Sequence, residues 1–302
     1  MEYFILGGTG FVGNFLIKYL LDKGENVTAL VRDESKLKIK SPALKAIKGD
    51  PLRKGEWQNS LDQADVIINL VGSPVMTNWT EKAKKMILST RVDSTANVIA
   101  SIKDMDAKTF ICANAVGYYG PRGDEIIDDN ASAGSDFLAD VGVQWQETAM
   151  GAENFGHRVV ITRFPAVLGP NGGALAQMMP IFKMGLGGKL GSGSQWFSWV
   201  HIIDLVRAMQ FISHKETIKG PVNLCSPKPV TNTQFTKALS RVLKRPAFFM
   251  VPGFGLKLVY GEVANMLLSG QRCIPKKLVD EGFTFEFEEI QPALTDIVSN
   301  WK

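Results

Sequence analysis

Cysteine is scarce in this sequence: Cys112, Cys225 and Cys273 are odd in number and far apart, so no disulfide framework is implied and a reducing compartment suits the chain. Histidine is equally scarce. His157, His201 and His214 show no metal-ligand spacing with one another or with the cysteines, and no metal is expected. Long apolar runs are missing too: none approaches the ~18 residues of a membrane span, and the opening MEYFILGG has neither the basic stretch nor the cleavage-like site of a secretory leader. These absences fit a cytoplasmic protein with no membrane partner. An excess of one charge is lacking as well, since 34 Lys and Arg face 30 Asp and Glu for a net +4. The densest basic cluster, Lys82, Lys84, Lys85 and Arg91, has no interleaved aromatics and reads as a solvated helix face, not a nucleic-acid surface. GxSxG does not occur, so a hydrolase elbow is unsupported.

What is present is a β–α alternation. Apolar segments at 3–6, 26–32, 44–49, 64–72, 108–116 and 158–164 read as strands, with helical spacing at 11–23 and long helix candidates at 79–103 and 136–154. Near-continuous apolar strands separated by helices argue an α/β fold whose parallel sheet is covered on both faces. After Arg163 the texture changes to Gly-, Met- and aromatic-rich stretches, then to short Pro-punctuated elements, with Thr231 placed to cap a helix. The division expected is a doubly wound first domain over 1–170 and a smaller substrate-side region over 171–302, with room for the chain to exchange back. Trp196, Phe197 and Trp199, with Met178, Met179 and Met184, read more readily as core than as a ligand pocket.

The first strand leads into GGTGFVG. Gly7, Gly10 and Gly13 stand three apart between a strand and a helix, where backbone N–H groups and the positive end of the helix dipole can hold a pyrophosphate. Side chains there would block the tight turn and the close approach of the backbone. Thr9, Phe11 and Val12 fall within the same grip.

With this spacing, the sequence resembles the extended and atypical short-chain dehydrogenases/reductases. Gly49-Asp50, Val71-Gly72, AVGYYG at 115–120, RFPAVLGP at 163–170 and GSGSQWFSWVHIIDL at 191–205 match further segments of that family. The strings FLADVGVQW, GGAL and KMGLGGKLGSGSQWFSWVH look like its YfcH-like epimerase subgroup. The resemblance implies a Rossmann-type fold and a nicotinamide dinucleotide, with Asp50 and Leu52 flanking adenine and Val71, Gly72, Asn114 and Pro165 near the ribose and nicotinamide. The position that accepts the ribose 2′-OH in NAD enzymes falls at Val31, followed by Arg32. A guanidinium matches a 2′-phosphate, so NADP(H) is favoured over NAD(H), with Asp33 as the counterargument.

The family's proton relay is absent. Its Tyr-x-x-x-Lys pair aligns with Trp145 and Ala149, and neither can move a proton near neutral pH. The candidates left are Tyr118 as acid, Asn114 in the family's serine position, and Asp93 near the helical asparagine position. His201, beside a helix start, reads as structural. In nucleotide-sugar epimerases an arginine meets the substrate diphosphate where Phe197 stands here. The expected function is therefore an NADP(H)-binding oxidoreductase or epimerase-like protein acting on a small molecule. The rival readings are a catalytically silent NADP(H) sensor or scaffold and a true nucleotide-sugar epimerase; an oligomer is left open.

Overall fold

The computed structural model describes residues 1–301. Strand β1 (Glu2–Leu6) sends Tyr3 and Ile5 into one hydrophobic layer and Phe4 and Leu6 into the other, as a strand covered on both faces must. Helix α1 (Phe11–Asp22), β2 (Asn26–Val31), β3 (Leu44–Lys48), β4 (Val66–Asn69), α2 (Glu81–Ile102) and β5 (Thr109–Ala115) follow. After the two-residue β6 (Ile126–Ile127) come α3 (Phe137–Met150) and β7 (Arg158–Phe164). The later half holds β8 (Ala166–Gly169), β9 (Gly172–Gly173), α4 (Leu175–Lys183), β10 (Gly188–Leu190), β11 (Trp196–Phe197), β12 (Trp199–His201), α5 (Ile202–His214) and β13 (Gly220–Asn223). It ends with β14 (Val230–Thr231), α6 (Asn232–Leu243), β15 (Phe249–Val251), α7 (Gly253–Tyr260), α8 (Val263–Leu268), β16 (Arg272–Cys273), α9 (Lys276–Asp280) and α10 (Ile290–Ser299).

Seven of these strands form one parallel sheet in the order β13-β7-β5-β4-β1-β2-β3. The order reverses between β1 and β4, and in such sheets ligands bind in the crevice at the carboxyl ends of the strands flanking that reversal. Helices α1 and α5 cover one face through Leu16, Leu20, Leu205 and Met209; α2 and α3 cover the other through Val98, Ile102, Trp145 and Ala149. Residues 202–223 thus return to the large sheet, β13 pairing with β7. A second core joins α4, α6 and α10 around Trp199, Met179 and Phe235, with Met178 and Phe197 partly buried against it. Met184 is exposed.

Two boundaries differ from the sequence expectation by three residues or more, each for a local reason. The segment 64–72 leaves the sheet at Asn69, whose side-chain oxygen accepts the Val71 N–H at 3.1 Å and turns the chain. The helix expected over 136–154 is α-helical only to Met150. A 3-10 turn over Gly151–Phe155 follows, ended by Gly156 at φ +83°.

Candidate functional site

The crevice begins where β1 ends. Gly7 has φ +83°, and a Cβ on it would press against the Leu70 backbone at 3.0 Å. The turn closes with the Gly10 N–H donating to the Gly7 carbonyl at 3.0 Å. Gly13 packs the first turn of α1 onto that loop, where a Cβ would lie 2.4 Å from the Gly7 oxygen and 2.7 Å from Gly8 Cα. Gly10, the N-cap of α1, supplies no side-chain cap, and the first turn carries no acid. The N–H groups of Phe11, Val12 and Gly13 therefore keep the anion-binding character of a bare helix start. The Phe11 ring turns away into the β8–β9 hairpin, filling the place a Cβ on Gly172 would need. Thr9 is exposed at the tip of the turn.

At the end of β2, Arg32 stands exposed. Asp33 is engaged locally through one oxygen: its Oδ1 accepts from the Ser35 N–H at 3.1 Å and the Ser35 hydroxyl at 2.7 Å, capping a 3-10 turn and holding its pKa below the usual carboxylate value. Asp50, past β3, accepts the Leu52 N–H at 3.0 Å, so both form one tight turn there.

Across the reversal, the place of the family's tyrosine and lysine is filled with core. Trp145 is buried, its indole N–H donating to Thr95 at 3.0 Å, and Ala149 is fully buried in the same cluster. Thr95 also accepts from Asn69 at 3.0 Å, joining α2, α3 and β4 through buried polar groups. Asp93 lies on the exposed side of α2 and is not brought to this cluster. Arg91 is. Its guanidinium lies 5.3 Å from the Trp145 ring centre, donates to the carbonyls of Ile87 at 2.8 Å and Ser73 at 3.1 Å, and abuts Gly72, where a Cβ would meet its Cζ at 2.9 Å. The basic cluster expected on one solvated face is therefore divided: Lys82 and Lys85 are exposed, Lys84 pairs with Glu262 at 2.6 Å, and Arg91 turns inward. Sequence reasoning missed this role because the contact with Trp145 is tertiary.

Asn114, at the end of β5, is also committed. It donates to the Gly142 carbonyl at 2.9 Å and accepts the Ala115 N–H at 2.7 Å, tying the strand to α3. Tyr118 and Tyr119 follow and differ sharply. The Tyr119 hydroxyl is buried within 2.7 Å of Asn223 and accepts from Arg163 at 2.7 Å; burial drives its pKa far up, so it is a fixed strut. Tyr118 is half-buried, with the Arg163 guanidinium 3.7 Å from its ring centre, and among the described residues nothing bonds its hydroxyl. Arg163 also donates to Gln146 at 2.7 Å and the Asp129 carbonyl at 3.1 Å. Val71 is half-buried and Gly72 exposed after β4, while Pro165 is buried after β7. Trp79, in the loop between β4 and α2, meets Phe137, the first residue of α3, edge-on at 5.0 Å.

His201 is the N-cap of α5, its Nδ1 accepting the Ile203 N–H at 3.2 Å. Its Nε2 approaches Asp296 at 3.2 Å without hydrogen-bond alignment. Among the described residues no cluster of three or more His, Cys, Asp or Glu is placed to hold a metal ion, and no helix is long and apolar enough to cross a membrane.

A wholly parallel seven-stranded sheet with a glycine-rich turn at its reversal defines a Rossmann-type fold of the short-chain dehydrogenase/reductase kind. Comparison with known proteins narrows the class. The chain belongs to the NAD dependent epimerase/dehydratase family, whose model matches residues 3–225, and residues 251–297 match a domain of unknown function, DUF1731. An epimerase family protein, the chloroplastic SDR39U1 homolog of Arabidopsis thaliana, is 37% identical over 99% of this chain and 87% of its own length. One from Mycobacterium bovis is 38% identical, covering 96% and 95%. The crystal structure of human epimerase family protein SDR39U1 with NADPH superposes with a TM-score of 0.86 at 28% identity, covering 99% of this chain and 100% of that one.

Proposed function

We propose that the protein binds NADP(H) in this crevice and acts as an oxidoreductase or epimerase-like enzyme on a small molecule. The observation that carries the reading is the fit of the α1 start to a pyrophosphate: an uncapped helix end pressed onto a side-chain-free turn. Gly7, Thr9, Gly10, Phe11, Val12 and Gly13 would hold the pyrophosphate, and Arg32 the 2′-phosphate. Asp33, already held by Ser35, is poorly placed to serve a ribose hydroxyl. Asp50 and Leu52 would border the adenine, and Val71, Gly72 and Pro165 the remainder. The human relative crystallised with NADPH supports the choice of dinucleotide.

When bound, the dinucleotide supplies hydride chemistry, which needs a partner to hold or release a proton. Tyr118 is the phenol on this chain with an uncommitted hydroxyl at the strand ends, so it takes that role in our reading. Asn114 anchors the loop that carries it, and Arg163 fixes its ring. The three cysteines, all buried free thiols, support a reducing, cytoplasmic setting.

The test is to mix protein and NADPH with a panel of carbonyl compounds and sugar nucleotides and follow the reduced-nicotinamide absorbance. Sustained oxidation supports the enzyme. Tight binding without turnover across the panel favours the second reading, a silent NADP(H) sensor, which Trp145 and Ala149 already support by filling the relay position with core. Nucleotide-sugar epimerisation is less well supported, because Phe197 packs 4.5 Å from Phe235 where a diphosphate would want a cation.

A further inference from the structure

Other inward-turned arginines are held by an ion pair or by more partners, although among the described residues the buried Arg163 also leaves its Nε unbonded. Arg207 pairs with Asp204 at 2.6 Å, and Arg158 donates to the carbonyls of Ile212, Ser213, Lys215 and Ile218. Arg91 has fewer hydrogen-bond partners than Arg158 or Arg163. Two of its five N–H groups meet backbone carbonyls, which leaves three. Among the described residues it makes no ion pair, and burial alone lowers its pKa to about 10, so it stays charged at neutral pH. Its Cζ lies 5.3 Å from the Trp145 ring centre and close against Gly72 in the loop after β4, and Ser73 and Thr90 stand beside it, the Thr90 hydroxyl accepting from the Ser73 N–H at 3.1 Å. A guanidinium with two donors fixed and three to spare, beside the loop that follows β4, is pre-organised for an anion.

We propose that Arg91 determines the substrate class: it takes the acidic group, carboxylate or phosphate, of a substrate seated at the carboxyl ends of β4 and β5. This rests on the reading that the adjacent loop holds NADP(H), and it goes further, because the pyrophosphate and 2′-phosphate are assigned to other residues. A neutral substrate would leave a half-buried charge without a partner, which costs more than it returns. The Trp79–Phe137 pair, at the starts of α2 and α3, offers a surface against which an aromatic or otherwise flat body of such an acid would lie.

The test uses the full chain in chloride-free, low-salt buffer, first saturated with NADPH and then titrated calorimetrically with benzoate, phenyl phosphate or neutral benzamide. The expected result is saturable binding of at least one anion, with benzamide at least about tenfold weaker. Arg91→Met should weaken the anion at least about tenfold while the NADPH dissociation constant stays within about twofold of the parent value. Arg91→Lys keeps the charge and much of the stem against Trp145, so it stays available if the Met variant does not fold; it should bind the anion at an intermediate strength, because it lacks the planar fork. Whichever anion binds identifies the acid. Unchanged anion binding in the variants overturns the proposal, as does an absence of saturable anion binding to the NADPH complex. A parallel loss of NADPH affinity also overturns it, by assigning Arg91 to the cofactor. Failure of the parent protein to bind NADPH at all would instead strike the cofactor reading, a distinct result.

Discussion

At the scale of single residues, the account makes its sharpest demand at Gly13. A methyl group there would have to share space with the Gly7 carbonyl and Gly8 Cα, so Gly13→Ala should cost about 1–3 kcal/mol by overpacking and weaken NADPH binding at least tenfold, about 1.4 kcal/mol. Thermal melts and calorimetry on the same preparation measure both. Tyr118→Phe should do the reverse, leaving stability and NADPH affinity near parent values while lowering turnover about 10²–10⁴-fold on any substrate found; unaltered turnover would remove Tyr118 from the chemistry. The glycines were legible in the sequence because close backbone approach is a demand written in residue type. The turn that engages one Asp33 oxygen is equally local, made by Ser35 two residues on. Arg91 was not legible, since its role depends on Trp145, which lies 54 positions later in the chain. Asp93, from the same turn of helix, lies on the exposed face of α2.

At the scale of elements, α5 is held at both ends by side chains the sequence made look ordinary. His201 caps its start, and burial lowers the His201 pKa below the usual 6.5. The neutral ring belongs to the folded state, so the unfolded chain takes up the proton first as pH falls. The stabilisation is complete above about pH 6.5 and declines below it toward the lower folded pKa. Melting temperature should fall across that window, and His201→Asn, which keeps a capping acceptor, should flatten the slope. A parent and variant with equal slopes would show that other groups govern it. At the far end Arg158 gathers the last carbonyls of α5 and places a charge at the negative end of the helix dipole. Arg158→Met should cost about 2–3 kcal/mol, since several buried acceptors lose a charged donor together, and urea unfolding should register it as a lower midpoint with an unchanged slope. The helix period of α1 could be read from apolar spacing. The inward face of α2 could not, because Thr90, Ser94 and Thr95 bury polar groups against Asn69 and Trp145 where an apolar stripe would be expected.

At the scale of the whole molecule, the alternation of strand and helix was enough to specify a parallel sheet with both faces covered, and that is the architecture found. What alternation could not give is the path of the later chain, where α5 and β13 rejoin the large sheet while α4, α6 and α10 build a separate core. Those returns are decided by long-range packing, such as the Phe11 ring under the β8–β9 hairpin, which binds the loop of the first strand to a segment some 160 residues away. The crevice is thereby shaped by both halves of the chain. In the proposed complex, bare amides at the start of α1 hold a pyrophosphate while Arg32 selects the phosphorylated dinucleotide. Calorimetric titration of the full chain with NADPH and, separately, NADH tests this most directly. The account predicts saturable NADPH binding with NADH weaker by at least tenfold, about 1.4 kcal/mol; equal affinity for the two, or no binding of either, would contradict it.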